Sequence, residues 1–195
     1  ILVDAGPDIK NQLIENKVRH LDAVLITHEH SDHVAGLDEL RAFYFPNKVK
    51  LKLFTYKRTA KHLIKRFDYL FLKNNNSQSY FKPPLVIEEI NYNIEFNING
   101  LQIMPIRQNH GAMDSIGFIF NKRFAYCTDV ISFPEQSFNQ LYGLDVLILE
   151  GLRSTPHVAH AHFELSFEWI SKLKPKFTYL TPVSYTHLTL PTIGC

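Results

Sequence analysis

Short apolar runs, separated by polar turns and amphipathic stretches, occupy most of the chain. The run over 23–26 is too short for a helix and rich in strand-forming residues, so it predicts a buried strand that stops at Thr27. Ser31 is placed to cap a helix that continues with helical spacing to Pro46. The other predicted strands are 1–4, 51–55, 85–90, 93–97, 101–107, 116–120, 123–128, 144–150 and 177–181, and the other predicted helices are a short one after Pro7, 56–67 and 163–173.

The order of these elements indicates the fold class. Strands and helices, then a run of strands, then strands and helices again are typical of a layered α/β sandwich with mixed sheets. The 195 residues are enough for one such domain, and 45% hydrophobic with 21% charged residues is ordinary for a globular protein. We therefore expect one α/β domain in which Lys73–Ser79 forms an exposed polar loop.

Charge and cysteine usage narrow the classes of partner and compartment. Lys and Arg number 21 against 19 Asp and Glu, and a formal charge of +2 is too small to indicate nucleic acid or an anionic membrane. No run approaches the ~18 apolar residues of a membrane span. The two cysteines, Cys127 and Cys195, form neither a CxxC pair nor a disulfide framework, which suits a reducing cytoplasm.

One short segment concentrates metal-binding side chains in the pattern HxHxDH. His28 and His30 are two residues apart on extended backbone and can point the same way, while Asp32 and His33 open the next predicted helix. That spacing can serve two neighbouring cations. Imidazole and carboxylate ligands without thiolate suit Zn²⁺, Mn²⁺ or Fe²⁺.

Two later strands end on further candidate ligands. The predicted strand 101–107 runs toward His110, and the strand 123–128 runs into Asp129. Side chains at strand ends around one rim are how α/β sheets build sites. The alternatives are a surface histidine cluster that binds nothing and a helix start at which Asp32 is only a capping acid.

This combination resembles the metallo-β-lactamase fold superfamily. The resemblance rests on HxHxDH after a buried strand, the preceding Asp4-Ala5-Gly6 turn, and the lone His110 and Asp129 at later strand ends. It covers nearly the whole chain to Thr181. It implies an α/β fold of the αββα sandwich type, truncated at both ends, with a hydrolase domain over 1–181.

The resemblance also implies two divalent metal ions, Zn or Mn, with Fe compatible. In that case His28, His30 and His110 hold one ion, Asp32 and His33 hold the second, and Asp129 bridges them. Asp4 would be a carboxylate that orients a ligand, or else only a turn-forming residue.

Two further stretches, 36–41 and 162–181, are similar to the branch that contains the cyclic phosphodiesterase of phosphonate breakdown. That similarity implies a phosphodiesterase that uses a metal-bound hydroxide at a dinuclear site. Asp32 and His162 would be catalytic, His162 as the proton donor to the leaving alkoxide, with His160 as the second candidate for that role.

Other functions share these features. A thioester, lactone or lactam hydrolase would use the same metal centre, and a non-catalytic metal-binding sensor would retain the fold. The expected partner is a small-molecule phosphodiester, in a cytoplasmic protein compatible with a homodimer. Nucleic acid ranks lower because no long basic, Gly-rich insertion is visible. The Lys- and Arg-rich segment 48–65 is interpreted as a solvated face.

Both ends of the chain depart from the family pattern. The family has strands before the turn at Asp4, and after the strand ending at Thr181 it places a last metal-site histidine, whereas this chain continues with Pro182. Residues 182–195 resemble a translated sequencing adapter, so we expect a non-native tail in which His187 is no ligand. A fragment of this kind can bind its second metal weakly and be inactive.

Overall fold

The predicted strand at 23–26 is the second of four parallel strands in the computed structural model of the protein. The structure describes residues 1–46, 48–72 and 82–181. The chain divides into two compact units, Ile1–Pro105 and Ile106–Cys195. The polar loop predicted at 73–79 and the tail at 182–195 lie outside the described residues.

The first unit is built on a parallel sheet with the strand order β1-β2-β3-β4. Alternate residues of β3 are buried, and apolar side chains from the sheet and its helices form the core of this unit. Its strands are β1 (Leu2–Val3), β2 (Ala23–Leu25), β3 (Leu51–Tyr56), β4 (Leu85–Ile90) and β5 (Phe96–Ile98), and its helices are α1 (Ile9–Glu15), α2 (Ser31–Val34), a 3₁₀ helix (Leu37–Phe43), α3 (Lys57–Arg66) and α4 (Asp68–Phe71).

Strand β6 (Leu101–His110) begins in the first unit, where it pairs antiparallel with β5, and continues into the second. The turn between β5 and β6 has positive φ at both Asn99 and Gly100, 50° and 89°. Such a pair is what a two-residue hairpin turn needs, and Asn-Gly is a dipeptide that adopts it readily.

The strands of the second unit belong to a six-stranded sheet with the order β10-β9-β8-β7-β6-β5. Strands β7 and β8 pair antiparallel, whereas β8 with β9 and β9 with β10 pair parallel. Its elements are β7 (Met113–Phe120), β8 (Phe124–Cys127), α5 (Glu135–Gln140), β9 (Val146–Glu150), α6 (Phe163–Leu173) and β10 (Phe177–Thr181). The predicted α/β class with mixed sheets is confirmed.

The single helix predicted from Ser31 to Pro46 was wrong. Helix α2 ends at Val34, and a 3₁₀ helix begins at Leu37. The break falls at Gly36, whose missing side chain has a structural reason: a Cβ there would lie 2.2 Å from the carbonyl oxygen of Gly6. Helical spacing alone could not show this close approach, because it comes from a segment thirty positions earlier in the chain.

Other differences are confined to element ends and short helices. The strand predicted at 93–97 is displaced to Phe96–Ile98, and α4 and α5 were not predicted. Within the described ranges, no helix combines the length and apolar character that crossing a bilayer requires.

Candidate metal centre

Three imidazoles of the first unit meet beyond the end of β2. The ring of His28 is fully buried, its Nε2 lies 3.0 Å from Nδ1 of His30, and its centroid lies 4.2 Å from that of His33. The backbone N–H of Ile26 donates to the carbonyl of Phe54 at 2.9 Å, which carries the pairing with β3 past the end of β2. The segment that carries the histidines therefore begins at a strand end that is fixed by backbone hydrogen bonds.

The carboxylate of Asp4 lies beneath this cluster. Its Oδ1 accepts the backbone N–H of Thr27 at 2.8 Å, and its Oδ2 accepts the Thr27 hydroxyl at 2.8 Å and Nδ1–H of His33 at 2.7 Å. Because the one hydroxyl proton of Thr27 goes to Asp4, the hydroxyl oxygen accepts from Nδ1–H of His28 at 3.0 Å.

This network sets the tautomers of two histidines. Nδ1 carries the proton in both His28 and His33, so Nε2 carries the lone pair that can bind a metal. Two imidazole nitrogens bound to one tetrahedral Zn²⁺ lie about 3.3 Å apart, given Zn–N bonds of about 2.0–2.1 Å. The 3.0 Å between nitrogens of His28 and His30 is close to that separation. The donor set of the first unit therefore fits a divalent cation.

The Asp4 turn is packed directly against the backbone of α2. Asp4 has a left-handed φ of 59°, which a short polar side chain tolerates. The N–H of Ala5 donates to the carbonyl of His33 at 2.7 Å, and a Cβ at Gly6 would lie 2.6 Å from the carbonyl oxygen of Asp32. The contact between the Asp4 turn and α2 therefore holds Asp4 close to His33.

Asp32 and His30 are the exposed members of the predicted set. The side chain of Asp32 is 42% exposed, and its Oδ2 lies 3.5 Å from Nε2 of His33. The structure thus brings together five of the residues predicted to belong to the site, all from the first unit: Asp4, His28, His30, Asp32 and His33.

The second unit contains its own group of buried ligand atoms. His110, at the end of β6, donates Nδ1–H to the carbonyl of Ala159 at 2.9 Å, and its Nε2 lies 3.5 Å from Oδ2 of Asp129. Asp129 follows β8 with a left-handed φ of 53°. The Thr128 hydroxyl donates to its Oδ1 at 3.0 Å, and the Ser115 hydroxyl donates to its backbone carbonyl at 2.7 Å.

Glu150, at the end of β9, extends this group and was not predicted as a site residue. Its fully buried carboxylate accepts the backbone N–H of Val130 at 2.6 Å, Nδ1–H of His160 at 2.5 Å and the N–H of Ala161 at 3.4 Å. Atoms of Asp129, Glu150 and His160 lie close enough together to hold one ion. The signal that could have identified Glu150 is an acid at the end of a buried strand, the same signal that identified Asp129.

Glu150 and His160 influence each other's protonation. Burial raises the pKa of the Glu150 carboxyl, and the hydrogen bonds from His160 and Val130 counteract part of that rise. The hydrogen bond with the Glu150 carboxylate raises the pKa of His160. The proton on Nδ1 is thereby held on the side of the ring that faces Glu150.

In the described part of the chain, His162 is not among the residues whose ligand atoms cluster with those of Asp129, Glu150 and His160. It occupies the cap position of α6, where its carbonyl accepts the N–H of Ser166 at 3.0 Å. Its side chain is 16% exposed, and among the described residues its buried Nδ1 has no hydrogen-bond partner. His160, the second candidate for the proton donor, is hydrogen-bonded to the buried carboxylate of Glu150.

The fold and the two ligand groups define an α/β protein equipped for divalent metal binding. Residues 1–181 match the family model described as the beta-lactamase superfamily domain, and the chain belongs to that superfamily. Members of the superfamily are metal-dependent hydrolases, which include phosphodiesterases.

Three similar proteins illustrate the range of relatives. A solved structure described as a new diphosphatase from the PhnP family is 30% identical to this chain and has a TM-score of 0.81. The match covers 92% of this chain and 67% of that protein. An octanoyltransferase of Porphyromonas gingivalis is 29% identical over 174 residues, which is 89% of this chain and 34% of that protein. A ribonuclease Z of Staphylococcus epidermidis is 26% identical over 122 residues, 60% of this chain and 37% of that protein. The chain spans about a third of the length of these two curated relatives.

Proposed function

We propose that this chain is the metal-binding core of a phosphodiesterase that acts on a small cyclic or linear phosphodiester. The observation that carries the proposal is the Asp4 carboxylate, which holds the Nδ1 protons of His33 and, through Thr27, of His28. A buried carboxylate that directs Nε2 lone pairs outward is an arrangement for binding metal, not for stabilising a core.

The residues that would hold two divalent ions come from both groups, with Asp129 as the shared carboxylate. His28, His30 and His110 would hold one ion, and Asp32 and His33 the other. When bound, such ions polarise a phosphoryl oxygen and lower the pKa of a water molecule to about 7.

The chain's own residues would handle the protons. The carboxylate of Asp32, exposed beside His33, would accept a proton from the attacking water. As the bond between phosphorus and the leaving oxygen breaks, protonated His162 would donate its proton to the alkoxide. Its Nδ1, which has no hydrogen-bond partner in the described part of the chain, supports this role.

Two of the relatives support phosphorus chemistry in particular. The protein described as a diphosphatase is similar in both sequence and structure, and the ribonuclease Z acts on RNA, as its name states. The octanoyltransferase, which the chain matches over 34% of its length, has a name that does not support phosphorus chemistry.

The test is turnover of phosphodiesters by the purified protein, stripped with a chelator and reloaded with Zn²⁺ or Mn²⁺. Two probes differ in the leaving group: bis(p-nitrophenyl) phosphate releases a stable phenolate, and 2′,3′-cyclic AMP releases an alkoxide that needs a proton. We expect His162→Asn to lower kcat about 10²–10⁴-fold for the cyclic nucleotide and far less for the p-nitrophenyl ester. His20→Asn, at an exposed histidine bonded to Asp22, is the matched control.

Each other outcome points to a different function. Turnover of a thioester or lactone without turnover of either phosphodiester would replace the proposal by the acyl-hydrolase alternative. Full metal occupancy without hydrolysis of any ester class would replace it by the sensor alternative. Equal effects of His162→Asn on both phosphodiesters would remove His162 from the role of proton donor.

A further inference from the structure

Helix α3 presents a row of basic side chains, two arginines and a histidine, to the loop that carries HxHxDH. Arg58, His62 and Arg66 are spaced four residues apart and so lie on one face of the helix. Nε of Arg58 lies 3.5 Å and Nε2 of His62 lies 3.7 Å from Oε1 of Glu29. A guanidinium nitrogen of Arg66 donates to the hydroxyl of Ser31 at 3.2 Å.

A groove of about 310 Å³ lies along this face, entirely within the first unit. We call it the α3 groove. Its walls are Glu29, His62, Leu63, Lys65 and Arg66. The volume is sufficient for a phosphate group with its attached carbon, and the groove opens to solvent along the exposed side of α3.

The charges in the α3 groove are unbalanced toward the positive. Glu29, the single carboxylate, is 13% exposed and already accepts the hydroxyl of Thr59 at 2.8 Å, besides facing Arg58. Within the described ranges, neither Lys65 nor Arg66 is paired with a carboxylate. Their charges are therefore available to an anion from outside.

The side chain of Arg66 is also held in place before any ligand binds. Its guanidinium lies 5.2 Å from the centroid of the Phe67 ring and is hydrogen-bonded to Ser31. An arginine held in place loses less rotamer entropy on binding, and its planar fork can bind two oxygens of one phosphate.

The position of the α3 groove relates it to the candidate metal ligands. Glu29 lies between His28 and His30 in sequence, and Ser31 lies between His30 and Asp32. A group held in the groove is therefore next to the loop on which the first unit presents its metal-binding side chains. The sequence-based interpretation of 48–65 as a solvated face does not account for this placement.

We propose that the α3 groove binds a second phosphate of the substrate, remote from the bond that is cleaved. This narrows the substrate class to phosphodiesters or diphosphates that carry a terminal phosphate group. The inference rests on the proposed function for the reaction itself, but phosphate binding in the groove can be measured without turnover.

The binding test uses the full chain after metal removal, so that phosphate cannot bind through metal. Methyl phosphate is titrated calorimetrically into the native protein, Arg66→Gln and Lys61→Gln. Lys61 is on the same helix and carries the same charge, but it does not line the groove. We expect Arg66→Gln to weaken binding about tenfold or more and Lys61→Gln to change it less than about twofold, because exposed charges outside the site are screened by salt.

Two results of the binding test would overturn the proposal. One is an absence of methyl phosphate binding to the native protein. The other is equal weakening by Arg66→Gln and Lys61→Gln, which would mean that the phosphate responds only to the overall charge of the helix. Unfolding midpoints of both variants, measured alongside, show whether either substitution has changed the fold.

The substrate test uses the metal-loaded protein and two chromogenic diesters. Thymidine 5′-(p-nitrophenyl phosphate) and its 3′-phosphorylated form differ only in the terminal phosphate. We expect the native protein to have the lower KM for the phosphorylated form, Arg66→Gln to remove that difference, and Lys61→Gln to retain it. Equal KM values in the native protein would contradict the role in substrate selection. If methyl phosphate binding depends on Arg66 but neither diester is turned over, the proposed phosphodiesterase activity is wrong and the proposed phosphate site is retained.

Discussion

At the scale of single residues, Asp4 connects the turn at the start of the chain with the histidines. Its two carboxylate oxygens accept three hydrogen bonds from Thr27 and His33. From its place in the sequence, Asp4 is either a turn-forming residue or a carboxylate that orients a ligand. The two descriptions are compatible in the structure, because the left-handed turn is what aims the carboxylate at the histidines.

We expect Asp4→Asn to reduce Zn²⁺ affinity about 10–100-fold while the fold is retained. Asn tolerates the left-handed backbone at this position, but its amide supplies one neutral acceptor in place of two charged oxygens. Affinity is measured by competition with a chromophoric chelator. Asp8→Asn is the matched control, since the exposed Asp8 side chain is bonded to Asn11. An unchanged Zn²⁺ affinity would show that Asp4 serves the turn alone.

Glu150 is the second residue whose contacts decide its role. Replacing its carboxylate with the amide of Glu150→Gln removes a charged acceptor from three donors, and we expect a loss of about 2 kcal/mol in the free energy of unfolding. Urea denaturation of the metal-free protein measures it. Glu168→Gln, which affects an exposed pair with Lys172, should change stability by no more than about 0.5 kcal/mol. Similar losses in the two variants would mean that the buried hydrogen bonds of Glu150 contribute little.

At the scale of elements, the close contact between the Asp4 turn and α2 positions Asp32 and His33. The N–H of Gly36 donates to the carbonyl of Ala5 at 2.8 Å, which joins the end of α2 to the turn. The helix is short because the chain must pass this point without a side chain. The same contact makes the ligand loop sensitive to substitutions at a position that touches no ligand.

We expect Gly36→Ala to destabilise the protein by about 3 kcal/mol, because the new methyl group would lie 2.2 Å from the Gly6 carbonyl and 2.4 Å from a methyl group of Ile9. Gly100→Ala provides a contrast: φ is +89° and no atom lies within 4 Å of the added Cβ, so only backbone strain of about 1 kcal/mol is expected. Thermal unfolding of both variants measures the difference. If Gly36→Ala were the milder of the two, the close approach would not be what shortens α2.

At the scale of the whole molecule, metal binding would be linked to folding. An ion that binds only the folded chain stabilises it by about 2.7 kcal/mol at a concentration 100 times its Kd. If the two units contribute ligands to the same ions, as proposed, Zn²⁺ should raise Tm, and chelation should reverse the rise.

The decisive comparison is between variants of the two units. We expect His28→Asn and His110→Asn each to reduce the Zn²⁺-dependent rise in Tm, and His20→Asn to leave it unchanged. Differential scanning calorimetry across a series of Zn²⁺ concentrations measures the three. A rise that depends on His28 but not on His110 would mean that the first unit binds metal without ligands from the second.

Local patterns in the sequence determined the elements that carry the site and the type of its ligands. Burial drives apolar runs such as 23–26 into strands wherever they occur, and HxHxDH brings imidazoles together over only six positions. Tertiary structure alone decided which nitrogen of His33 is presented to a metal, since that depends on Asp4, twenty-nine positions away. It also decided that the carboxylate of Glu150 is buried among donors and that Arg66 faces Ser31, thirty-five positions away. Hydrogen bonds between distant segments depend on how the chain packs, and no local periodicity encodes that packing.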